Sequence, residues 1–148
     1  MENIDMKRLI FILALLFALS GCAATTNIYG SMYNNAVAQG KSTVIIQDNP
    51  LRAIQDRVNA GAESLGYKKV IYSSPEEGFL VIVKEISVAK AFLIGDPHIY
   101  KIILKYTKSG PDQTRIDLVN GSTVVWAKNE VSRDIEKLAE LIQSVPKR

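Results

Sequence analysis

From residue 43 onward the sequence predicts an α+β fold, an antiparallel sheet of about five or six strands with two amphipathic helices on one face. Three observations predict it. Two segments carry apolar residues at helical spacing, Leu51, Ile54, Val58, Ala62 and Leu65 in one and Val131, Ile135, Leu138, Ile142 and Val145 in the other. Between them lie short β-rich runs separated by turn signals, an arrangement that gives antiparallel pairing. One of those runs sets Tyr100, Ile102, Leu104 and Tyr106 on one face against Lys101 and Lys105 on the other, as a half-buried strand does. Two helices suffice to cover one face of such a sheet.

The first ordered run is TVIIQ, Thr43 to Gln47, a short strand. Asp48 or Asn49 then caps a helix with Pro50 in its first turn, where a missing N–H costs little. Gly66 ends this helix at a position that favours φ > 0. Gly61, beside the apolar stripe, points to a close approach against the sheet, since a mid-helix glycine costs about 1 kcal/mol relative to alanine. YKKVIYS (Tyr67 to Ser73) and GFLVIVKEI (Gly78 to Ile86) are strands around an SPEEG turn, the second apolar on both faces as a central strand is. IYKIILKYT (Ile99 to Thr107) is the alternating strand, with Tyr100, Ile102, Leu104 and Tyr106 opposed to Lys101 and Lys105. A KSGPD turn leads to QTRIDLVN (Gln113 to Asn120). Asn120-Gly121 is a strong hairpin signal, so STVVWA (Ser122 to Ala127) is expected to pair back on that strand. The closing helix runs from about Glu130 to Ser144, capped by Asn129, with Arg133, Asp134, Glu136, Lys137 and Glu140 on its wet face. Its two heptads are too few for a dimerising coil, so it is expected to cover the sheet.

Ahead of this domain, Leu9 to Leu19 (LIFILALLFAL) is uninterrupted apolar sequence between Lys7-Arg8 and Ser20-Gly21. It is shorter than the roughly 20 residues of a membrane-spanning helix. A basic flank, an apolar core and small residues at its end describe a secretory signal, so residues 1–21 are expected to be a signal peptide. Glu2 and Asp5 offset Lys7 and Arg8, whereas reading from Met6 restores a basic opening, so translation is expected to begin at Met6.

The sole cysteine, Cys22, closes the segment LSGC. Leu19, Ser20, Gly21 and Cys22 resemble the lipobox of bacterial lipoproteins at all four positions. The resemblance implies that Cys22 carries a thioether-linked diacylglycerol and an N-acyl group, that signal peptidase II cuts after Gly21, and that the protein meets the membrane through this anchor. By resemblance to the sorting rule of enteric bacteria, Ala23 implies the periplasmic face of the outer membrane in a Gram-negative host, or else the outer face of the plasma membrane. Residues 22–42, the lipidated cysteine followed by small polar residues with Lys41 as the one charge, read as a flexible tether to a domain spanning 43–148. Tyr29, Met32 and Tyr33 are an apolar cluster within it, able to fold onto the domain or a partner.

A net charge of +3, from 18 basic and 15 acidic residues interspersed along the chain, lacks the concentrated basic stripe of a nucleic-acid binder. With Cys22 acylated no thiol remains, so packing alone must stabilise the domain. The one histidine, His98, sits in the turn Asp96-Pro97-His98, and zinc would need three or four clustered ligands. There is no nucleophile elbow, phosphate-cradling loop or dinucleotide fingerprint. The sequence therefore reads as no enzyme, with no metal and no cofactor beyond the covalent acyl groups on Cys22, and with no nucleic-acid partner.

The order β-α-β-β-β-β-β-α and the Gly66-Tyr67 step after the first helix resemble the helix-grip domains of small bacterial lipoproteins, over Thr43 to Val145. Such a likeness implies a fold, whereas function resides in sites. Two stretches are candidates. VAKAFLIG (Val88 to Gly95), with Val88, Phe92, Leu93 and Ile94 as its large apolar members, either extends a strand at the core edge or forms a loop contacting a partner or an acyl chain. Lys101, Lys105 and Arg115, with Lys84 nearby, make either an ordinary solvated sheet face or a weak site for anionic lipid or glycan. The expected function is that of a lipid-anchored cell-envelope lipoprotein acting as a protein-interaction or scaffold module in the periplasm, with an envelope protein as partner. The alternative is a carrier or sensor of a small apolar or lipid ligand held between the sheet and the C-terminal helix.

Overall fold

The computed structural model describes residues 28–48 and 51–144. The expected signal peptide, the segment Leu19 to Cys22, the start of the expected tether, the helix start expected at Asn49-Pro50, and Val145 lie outside the described residues. Along the chain follow helix α1 (28–38), β1 (Ser42–Gln47), α2 (Leu51–Ser64), β2 (Lys69–Ser74), β3 (Phe79–Lys84), α3 (Val88–Ile94), β4 (Tyr100–Gly110), β5 (Gln113–Asn120) and α4 (Val125–Gln143). The strands form one antiparallel sheet in the order β1-β5-β4-β3-β2, so the protein is of the expected α+β class.

The main core lies between one sheet face and helices α2 and α4. Ile54 and Val58 of α2 and Val131, Ile135, Leu138 and Ile142 of α4 bury against Ile45, Ile82, Ile102, Leu104, Ile116 and Leu118 of the strands. This is the layer predicted by the two apolar stripes, except that Leu51 at the head of α2 is exposed. Each fully buried aliphatic side chain contributes roughly 1.5–3 kcal/mol, enough to make these helices stable where isolated ones would not be. Gly66 takes φ +87° after α2, as expected of the residue that ends a helix, and the Tyr67 N–H returns to the Ala62 carbonyl at 2.9 Å. Gly61 does allow a close approach, but between helices rather than to the sheet: a Cβ there would lie 2.9 Å from Leu138 Cδ1 of α4.

Four expectations are corrected. STVVWA is not a sixth strand. β5 already pairs with β1 through Ile45 and Ile116 and with β4 through Leu104 and Leu118, leaving no free edge for a third partner. The Asn120 side chain instead turns the chain, accepting from the Ser122 N–H at 3.0 Å and donating to the Lys128 carbonyl at 2.7 Å and Ser132 Oγ at 2.9 Å. Consequently α4 begins at Val125, with Val124 rather than Asn129 at its N-cap and no side-chain cap bond. Asp134 is buried rather than wet, because it stands three residues after Val131 and four before Leu138, inside the apolar stripe.

The fourth correction concerns the tether. Residues 28–38 are helical, and α1 lies across the second face of the sheet, where Tyr33 buries with Val81, Ile103 and Val119 and where Tyr29, Met32 and Ala36 pack around it. The reason is hydrophobic: β3, β4 and β5 each present an apolar side chain on the face that α2 and α4 do not reach. Tyr29, Met32, Tyr33 and Ala36 follow a helical spacing that covers it. Of the readings open to that small cluster, folding onto the domain is the one observed.

Candidate functional site

The most conspicuous surface lies at one end of the sheet. β3 leaves the sheet at Lys84 and β4 enters it at Tyr100, so the connection carrying α3 projects there. β5 ends at the same level, since Asn120 pairs with Ile102, and α4 starts directly beyond. In α3, Ser87 accepts from the Lys90 N–H at 3.5 Å as N-cap, and Gly95 closes the helix at φ +75° with its N–H bonded to the Ala91 carbonyl. No residue of α3 is buried; Val88, Phe92 and Leu93 are 86, 88 and 83% exposed. At the head of α4, Val125 and Trp126 are exposed as well, the indole edge-on to the Tyr100 ring at 5.8 Å. The stretch Val88 to Gly95 is thus neither a strand extension nor core packing. Phe92→Asp is expected to leave unfolding stability within about 0.5 kcal/mol of the parent in urea titration, as an exposed substitution should.

Beneath that end, on the helix-covered face, lies a polar cluster. Lys84 Nζ donates to Asp134 Oδ2 at 2.8 Å, with Glu130 Oε1 at 3.5 Å, and Tyr67 donates to the same Asp134 oxygen at 3.0 Å. The ammonium also faces the rings of Tyr67 and Tyr100, 5.0 and 5.6 Å from their centroids, a cation–π arrangement. Burial foremost, then the Asp134 charge and hydrogen bond, pushes the Tyr67 phenol far up, so it remains a proton donor. With each acceptor matched to a donor, this arrangement clamps α4 to β3 and to the start of β4.

Under α1, on the other face, Arg115 Nη2 donates to Asp117 Oδ1 at 2.8 Å and its Nε to Oδ2 at 3.0 Å, while Tyr33 donates to Oδ2 at 3.1 Å. Burial, with help from Asp117, pushes the Tyr33 phenol up to about 12. Lys105 stands 5.0 Å from the centroids of both Tyr33 and Phe79, and Ser31, Asn34, Glu77, Phe79 and Lys105 line an open groove of about 660 Å³. Lys101 pairs with Asp96 at 3.0 Å. Burial opposes ionisation of Asp96, but the His98 amide and Lys101 outweigh it and hold the carboxyl below its usual range. Lys101, Lys105 and Arg115 therefore do share a face, but it is the face α1 covers, and two of the three are ion-paired within it. Lys84 belongs to the opposite face. His98 sits in the expected turn, its backbone N–H bonded to Asp96 Oδ1 at 2.8 Å.

No family model matches this chain, and no characterised protein matches it either. Among the described residues no group of three potential metal ligands comes together, and no helix is long and apolar enough to cross a membrane. Among the described residues two carboxylates are buried, Asp117 and Asp134, and sequence reasoning missed both. For Asp134 the position inside a helical stripe was the available signal. For Asp117 it was the parity shared with Arg115 and Val119 on β5, which places it on the second face.

Proposed function

We propose that this protein is a lipid-anchored accessory module of the cell envelope, held on the periplasmic side of a membrane through Cys22, that works by binding another envelope component. The observation that carries the reading is the segment LSGC at the end of an apolar run, six residues before a packed domain begins at residue 28. The exposed apolar residues of α3 are consistent with it, because exposed apolar surface commonly marks contact with a partner or a membrane. The carrier alternative has less support: Ile102, Leu104, Val131, Ile135 and Leu138 fill the layer between the sheet and α4, each at most 5% exposed.

Cys22→Ala is expected to block processing and leave a full-length precursor held by its intact signal. Replacing residues 1–22 with an ordinary cleavable signal is expected to release a folded, soluble domain. Immunoblots of membrane and soluble fractions check both. Processing of the Cys22→Ala chain at the normal size would overturn the anchor, while crosslinking in intact cells followed by mass spectrometry identifies the component bound.

A further inference from the structure

We propose that α3 seats in the interfacial layer of the same membrane that carries Cys22, so that the domain meets the bilayer at two points, one lipid and one helix. The inference rests on the lipid-anchored reading and adds an orientation to it.

The composition of α3 comes first. Apart from Lys90 its residues are Val88, Ala89, Ala91, Phe92, Leu93 and Ile94, so apolar side chains point in nearly every direction around the axis. A helix of that kind belongs in a protein core or in lipid, yet here none of its residues is buried. Seven residues make a helix about 10 Å long, far too short to span a bilayer but suited to lying in its interface. Lys90 is the one charge, and a lysine at that boundary extends its ammonium to the headgroups.

The chain also enters the folded domain close to α3. Tyr29, at the start of α1, contacts the Tyr72 ring at 5.7 Å. Tyr29 packs in the cluster that holds Ile103 of β4, and two residues away on the same strand face Lys101 bonds Asp96, which stands just past the Gly95 cap of α3; the Asp96 charge adds to burial in raising the Tyr29 phenol. The chain thus enters the folded domain beside the C-terminal end of α3. From Cys22 to residue 28 the chain can span at most about 22 Å. Lipid on Cys22 therefore keeps α3 close to the membrane surface, and a tether this short turns a weak apolar contact into a well-populated one. A soluble protein partner would need to enter that gap, whereas the bilayer is already there.

The test uses the full lipidated protein reconstituted into vesicles of phosphatidylethanolamine and phosphatidylglycerol. With Cys22 acylated, Phe92→Cys or Leu93→Cys supplies a unique thiol for an environment-sensitive dye, and Lys137→Cys, exposed on α4, serves as reference. Labels at 92 and 93 should emit further to the blue and be quenched by doxyl-labelled lipid at least threefold more than the label at 137. Equal access of aqueous iodide to all three labels, in vesicles shown to carry the protein, would overturn the bilayer contact and leave the anchor intact. Shielding of 92 and 93 in native envelopes but not in protein-free vesicles would overturn it too, and assign α3 to a protein. If the protein carries no lipid on Cys22 and does not float with vesicles, the anchored reading fails and this inference falls with it.

Discussion

Asp134→Ala is expected to destabilise the domain by about 3 kcal/mol. The carboxylate is buried and serves two donors, Lys84 at 2.8 Å and Tyr67 at 3.0 Å. Removing it strands the Tyr67 hydroxyl and leaves Lys84 with Glu130, 3.5 Å away, as its remaining carboxylate partner. Breaking a buried pair costs about 3–5 kcal/mol, but the Lys84 side chain is 23% exposed, which draws the figure to the low end. Tyr67→Phe should cost only about 1 kcal/mol, since the ring stays packed and Asp134 keeps its cation. Urea denaturation of both single variants and the double variant checks the coupling. If the clamp is one unit the double variant should fall well short of the sum, whereas strict additivity would show that Asp134 and Tyr67 act independently.

Gly78→Val is expected to cost about 3 kcal/mol or more. Gly78 closes the turn between β2 and β3 at φ +70°, where a β-branched residue is an outlier, and the left-handed conformation alone costs about 1–2 kcal/mol. A Cβ at this position would also overlap the Tyr106 carbonyl oxygen, a backbone atom held in place because the Tyr106 N–H bonds the Gly78 carbonyl at 2.8 Å. Gly40 provides the comparison. It has φ +66° with nothing near its missing Cβ, so Gly40→Ala should show backbone strain only, about 1 kcal/mol. Thermal unfolding of the two variants separates the steric part from the conformational one; similar losses at both sites would refute the overlap.

The helix-covered layer was legible because it depends on periodicity. Ile54, Val58, Val131, Ile135, Leu138 and Ile142 follow the helical repeat, and Ile102, Leu104 and Tyr106 the strand repeat. What could not be read was competition between elements for the same place. Asn120-Gly121 carries a hairpin signal, yet the strand it would pair with has both edges taken, a property of the sheet rather than of the dipeptide. α1 was hidden because Gly30, Ser31, Asn34 and Asn35 dilute its stripe, and the apolar residues that draw it down, Val81, Ile103 and Val119, are scattered over three strands. The α3 end was legible as an apolar run, and its exposure was not, since a run of that composition is ordinarily buried. The cations Lys101, Lys105 and Arg115 were placed on one face correctly, but their partners Asp96 and Asp117 close the site that the charges alone suggested.

The anchor at Cys22 is the claim on which localisation, orientation and the role of α3 all depend, and mass spectrometry of the mature amino-terminal peptide from the membrane fraction tests it most directly. The mature peptide is expected to begin at Cys22, to carry a diacylglyceryl thioether on the sulfur and, in a host that completes the modification, an acyl chain on the α-amine. A mature peptide that begins elsewhere, or one in which the Cys22 thiol is unmodified, would contradict it.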